Sequence, residues 1–155
     1  MCCKLIGVAA LNKPSMKWCD LCTPGSGCNI YPERPNECAA FFCEYLLRGE
    51  LDEIWHPARS KMVLMYRKAV NAIAVYVDPT EPENWRNAPY YAQIKAWVEA
   101  IYRNKGQVII WEGKEAIAVM PGHEKRLGPV QPGQRIAILQ KTTPTGTIYD
   151  ARVLG

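Results

Sequence analysis

Seven thiols lie between positions 2 and 43 of this 155-residue chain: Cys2, Cys3, Cys19, Cys22, Cys28, Cys38 and Cys43, with none afterwards. Such clustering asks for a local chemical reason, either thiolate ligation of a metal or disulfide stapling. An odd cysteine count without a secretion signal argues against a disulfide framework. Metal ligation therefore ranks first. The sharpest element is Cys19-x-x-Cys22, whose turn lets two thiolates converge on one tetrahedral ion. Cys28 follows a bend in which Gly25 and Gly27 relieve the backbone near a ligand. Cys38 and Cys43 stand in an expected helix. Five residues apart, they would point roughly 140° from each other around an ideal helix. That predicts either a distortion at Cys38 or thiolates serving different metals, or opposite sides of a cluster.

The ligand count bears on the metal. One tetrahedral zinc takes four ligands and two closed sites take eight. Seven cysteines plus His56, the only nearby histidine, make eight. An iron–sulfur cluster would use four thiolates and leave three. The candidate ligands are Cys3, Cys19, Cys22, Cys28, Cys38 and Cys43. Cys2 ranks lower, since one of two adjacent cysteines often points away. His56 ranks last, because a lone histidine is more often a surface or packing residue. The segment 18–31 is rich in turn formers and has no core of its own. A structural zinc supplies on the order of 10–16 kcal/mol in small modules, enough to order it.

Catalytic signatures are absent. There is no G-x-S-x-G, P-loop, G-x-G-x-x-G or H-E-x-x-H pattern. His56 and His123 are too far apart in sequence to build a Cys–His pair. A redox role for Cys19-x-x-Cys22 ranks below metal, because a thioredoxin-like pair opens a helix and this one sits in a Gly/Pro-rich loop. Arg59, Lys61, Arg67 and Lys68, with Trp55 and Tyr66, could touch RNA, but they read better as a charged strand edge. Tyr31, Arg34 and Pro35 shape the turn into the next helix.

The elements that must position these residues can be read in order. A helix is expected over 36–48, capped by Asn36 and stopped at Gly49. A further turn is expected over 51–55, broken by His56-Pro57. Strands are expected at 61–67 and 72–77, joined near Asn71 as a hairpin. Asn87 is expected to cap a helix to about 103, with Tyr90, Ile94, Trp97, Val98 and Ile101 as its core stripe and Gly106 as terminator. Strands at 107–111 and 115–120 flank a turn at Glu112-Gly113-Lys114. A polar loop should follow Pro121-Gly122. Strands at 134–140 and 147–153 complete a last hairpin.

The net charge of +4 is mild and argues neither for nor against nucleic acid. No apolar run is long enough to span a bilayer. Clustered thiols without a signal sequence predict a reducing, cytoplasmic setting. Palmitoylation of Cys2-Cys3 would not explain the other five thiols.

The run Cys2-Cys3-Lys4 … Lys13-Pro14 … Trp18-Cys19-x-x-Cys22, continuing Gly27-Cys28-Asn29-Ile30-Tyr31 through Arg34-Pro35 to Cys38 and Cys43, resembles the YkgJ-type cysteine-cluster family over about residues 2–45. The resemblance implies a zinc- or iron-chelating domain and no particular reaction. That family opens with C-x-x-C-C, whereas only the Cys2-Cys3 pair stands here. The expectation is that an upstream cysteine is missing or that the native start lies further upstream.

The combined expectation is an α+β protein. A cysteine-rich metal module, residues 1–58, packs on a strand-rich unit, residues 59–155, with one main amphipathic helix, forming one compact body. The expected function is binding of Zn2+, with iron or an iron–sulfur cluster second. The site is expected to be structural rather than catalytic and to support a binding module with a protein partner on the C-terminal sheet. No membrane or nucleic acid is expected to be involved. The alternatives are a thiol or iron–sulfur redox protein and a metal-handling chaperone or sensor.

Overall fold

The computed structural model describes residues 1–155 and is α+β. The first 60 residues are held in short pieces: helix α1 (Cys2–Leu5), a 3-10 turn (Ala9–Leu11), a two-residue ribbon of β1 (Cys22–Thr23) and β2 (Gly27–Cys28), α2 (Asn36–Ala39), α3 (Glu44–Leu47), a 3-10 turn (Glu53–Trp55) and α4 (Pro57–Ser60). None of these could hold itself together in isolation, since helices this short are far below the length at which propagation outweighs nucleation. What orders them lies outside them.

That support is a five-stranded sheet. Apolar and β-branched runs form β3 (Met62–Arg67), β4 (Ala72–Val77), β5 (Gln107–Glu112), β6 (Glu115–Met120) and β7 (His123–Pro129), in the spatial order β3-β4-β5-β6-β7. All neighbours are antiparallel except β4 and β5. A parallel pair needs a crossover, and α5 (Tyr90–Tyr102) supplies it. The expected polar loop after Pro121-Gly122 is instead strand β7. A β8 (Arg135–Thr143) and β9 (Gly146–Leu154) hairpin ends the chain and packs against β6 and β7.

Strand alternation sends side chains to two faces. Met62, Leu64, Val75, Val77, Val108 and Ile110 join Ile94 and Val98 of α5 in the main core. Each such buried side chain contributes about 1.5–3 kcal/mol. Val63 points the other way and meets Leu5 and Cys43, with Met1, Ile6, Met16 and Phe41 around them. Residues 1–43 therefore dock on the opposite face, at the β3 end of the sheet, while Trp55, Leu51 and Ile54 join the main core.

Two local expectations are corrected. The single helix over 36–48 is two one-turn helices, because Cys43 adopts an extended conformation (φ −77°, ψ 160°) between them. Pro35 and Pro89, not Asn36 and Asn87, occupy the N-cap positions of α2 and α5. No helix is long and apolar enough to cross a membrane.

Candidate functional site

The site begins with α1. Its single turn presents Cys2 and Cys3 while burying Leu5 against the sheet. Lys4 leaves the same turn and forms a bidentate pair with Asp78, at 2.6 and 2.8 Å, just beyond β4. Both side chains are largely buried, at 12% and 4% exposure. Thr80 adds two bonds to Asp78, from its backbone N–H (2.9 Å) and its hydroxyl (2.8 Å). Burial opposes ionisation of Asp78, but Lys4 and Thr80 outweigh it and hold the carboxyl below its usual range.

Lys13 does the second piece of positioning. Its buried ammonium donates to the carbonyls of Ile6 (2.6 Å), Pro14 (2.9 Å) and Lys4 (3.2 Å). All three of its donors are thus used, and the end of α1 is stapled to the loop that follows. Burial lowers its pKa, while the nearby Cys19, Cys3 and Cys38 pull the other way.

The ribbon fixes the next pair. Cys19 N–H donates to Cys3 C=O at 2.9 Å, which brings the C-x-x-C turn beside α1, and Cys22 N–H donates to Cys19 C=O at 3.1 Å. Cys22 and Cys28 face each other across β1 and β2. Asn29 N–H donates to Leu21 C=O just outside that pair, at 2.9 Å. This pattern makes Cys22–Cys28 a non-hydrogen-bonded pair, the closer kind in an antiparallel ladder. Cys38 comes in from α2, which Glu37 ties to the N-terminal segment by accepting from Ala9 N–H at 2.8 Å.

The result is a cavity of about 260 Å3 lined by six of the seven cysteines: Cys2, Cys3, Cys19, Cys22, Cys28 and Cys38. Cys3 neighbours Cys22 and Cys28, and Cys38 neighbours Cys3, Cys19 and Cys28. Burial, and then these adjoining thiols, push Cys3 and Cys38 above the ordinary thiol range. All seven cysteines are free. The thiols line the cavity without closing on one point: no three Cys, His, Asp or Glu side chains are arranged to hold a metal ion.

Two sequence candidates lie elsewhere. Cys43 is buried at 1% exposure in the docking core with Leu5 and Val63. His56 caps α4, accepting from Ala58 N–H through Nδ1 at 3.3 Å, and its ring meets Tyr45 edge-on. Neither lines the cavity. His123 is exposed at the start of β7.

Lys13 is the residue that sequence reasoning missed. Its one signal was its place in the Lys13-Pro14 step of the cysteine pattern. The cavity rim carries exposed apolar side chains, Leu21, Tyr31, Phe42 and Leu46, with the Arg34 guanidinium 3.8 Å from the Tyr31 ring centre. A second, larger groove of about 770 Å3 lies between α3 and α5, is floored by Trp55, Leu64 and Trp97, and contains no cysteine. Compared with protein-family models, curated proteins and solved structures, the chain matches none.

Proposed function

We propose that the chain binds a metal ion through its thiolate cluster, zinc first and iron second, and that the ion is structural. The observation that carries this reading is the gathering of six thiols, from four separate pieces of chain, around one cavity. Nothing in the hydrophobic packing requires six cysteines there, and a small apolar residue would fill the space without the burden of a reactive group. The donor set is all sulfur, which suits zinc, iron–sulfur clusters and other thiophilic ions. Cys3, Cys19, Cys22, Cys28 and Cys38 are the ligands in this reading, with Cys2 at the margin. Cys43 and His56 are left out of the set. Lys13 offsets part of the negative charge that four thiolates place on a divalent ion.

The thiols must draw inward to ligate. In this reading metal binding and the final ordering of the 18–31 segment are one event. The resemblance to the YkgJ-type family points the same way. The protein would work in the cytoplasm, where reduced thiols persist, as a metal-stabilised binding module whose partner docks on the C-terminal sheet.

The test is elemental analysis of anaerobically purified protein, with an absorption spectrum on the same sample. Stoichiometric zinc in a colourless protein supports the reading. A coloured protein with iron and sulfide moves it to the iron–sulfur alternative. Absence of metal with all thiols free would defeat it.

A further inference from the structure

We propose that Cys22 and Cys28 are a site of reversible oxidation, closing a cross-strand disulfide that dismantles the thiolate site. The consequence for the metal rests on the function proposed above; the disulfide itself does not.

The argument is one of register. The two cysteines are directly opposed, and the Asn29–Leu21 bond places them in the non-hydrogen-bonded position. Such pairs bring Cα atoms to about 4.5 Å, inside the range of about 4.4–6.8 Å that a disulfide spans. Both side chains leave the same face of the ribbon. Only residues 23–27 separate them, so closing the loop costs little chain entropy. Gly25 (φ +87°) and Gly27 (φ +109°) lie in that loop with no neighbouring atoms against them, so the ribbon can adjust its twist.

The other thiols are placed differently. Cys2 and Cys3 share α1, Cys38 comes from α2 and Cys19 from the turn ahead of β1; Cys3 meets Cys22 side chain to side chain but is not set opposite it in a strand ladder, and Cys43 is enclosed in the docking core. Like the other cavity thiols, Cys22 and Cys28 are partly exposed, within reach of a small hydroperoxide.

The chemistry balances with hydrogen peroxide as oxidant. One sulfur attacks the peroxide, an S–O bond forms, the O–O bond breaks and water leaves, giving a sulfenic acid. The second sulfur then displaces the hydroxyl group: the S–S bond forms and the S–O bond breaks. The two thiol protons end in water. The two thiols give up two electrons, and one peroxide becomes two waters. Of the five ligands named above, Cys3, Cys19 and Cys38 remain, one short of a closed tetrahedral set. A dithiol reductant reverses the step.

The experiment uses the full chain, both as purified under nitrogen and after stripping with a chelator. Each is titrated with hydrogen peroxide. Disulfides are located by peptide mapping with fragmentation, and released zinc is followed with a chromophoric chelator. The expected first link in both samples is Cys22–Cys28, with zinc release tracking its formation and dithiothreitol restoring the thiols. Cys28→Ser should slow the first disulfide by about tenfold or more, because Cys22 then keeps no partner in strand register. A Cys22–Cys28 link in protein that never carried metal supports this proposal while sinking the metal reading alone. A first link between any other pair, or overoxidation with no link, overturns the proposal.

Discussion

Gly106 shows how a single residue is fixed by its surroundings. It follows α5 and receives the chain back toward β5, with its N–H donating to Ile101 C=O at 2.9 Å. A Cβ there would collide with the Ile101 side chain and lie 2.7 Å from the Asn71 carbonyl oxygen. The carbonyl cannot move freely, because it accepts from Gln107 N–H at 3.0 Å where β4 and β5 begin their parallel pairing. Gly106→Ala should therefore lower stability by about 1–3 kcal/mol, read as a shifted urea midpoint with an unchanged slope. As a helix stop, this glycine was legible in the sequence; the close approach of Asn71 was not. The same limit applies to Lys13 and Asp78. A lysine is read from its type as a surface residue. Its burial became possible only because the fold collected three carbonyls around it. Nothing in the sequence pairs Lys4 with a carboxylate 74 positions away.

At the level of elements, long apolar runs were legible and short or edge pieces were not. The strands at 62–67, 72–77, 107–112 and 115–120 and the main helix stand close to where periodicity placed them. Strand β7 was missed because its sequence, His123 to Pro129, is charged and ends in Gly-Pro. An edge strand pairs on one side only and tolerates such residues. The region 36–48 has the composition of a helix but breaks at 40–43. Helix propensity is a weak prior, and here burial of Cys43 against Val63 and Leu5 overrides it. The break also resolves the awkward 140° divergence of Cys38 and Cys43. Cys38 lines the cavity and Cys43 serves the docking core. The stripe on α5 needs one refinement: Ile94 and Val98 are buried, while Trp97 and Ile101 turn toward the groove beside α3.

For the whole molecule, the α+β class was legible from the strand and helix patterning, and the packing of a cysteine-rich part on the sheet from the lack of a linker between them. The docking chemistry was not. It includes a small apolar contact around Cys43, the Lys4–Asp78 pair, and Trp55 buried in the main core. Because the folded-state pKa of Asp78 is depressed, the pair's stabilisation is fully present above the ordinary carboxylate value of about 3.9 and is lost as the pH falls below it. Acid unfolding should therefore begin with undocking, and Asp78→Asn should flatten that limb of the pH–stability curve. Asp78→Ala strands a buried ammonium and should cost about 3–5 kcal/mol at neutral pH. Both are read by urea unfolding at several pH values. The enclosure of Cys43 has a practical consequence for watching this happen. Its sulfur is reached only when the cysteine-rich part lifts off the sheet, so its alkylation rate is a clock for that opening. With the other thiols blocked first, the slow modification of Cys43 should accelerate with urea along a shallower slope than global unfolding. It should accelerate again when the Lys4–Asp78 pair is removed. Modification of Cys43 at the rate of a free thiol, without denaturant, would show that the two parts are not held together as described.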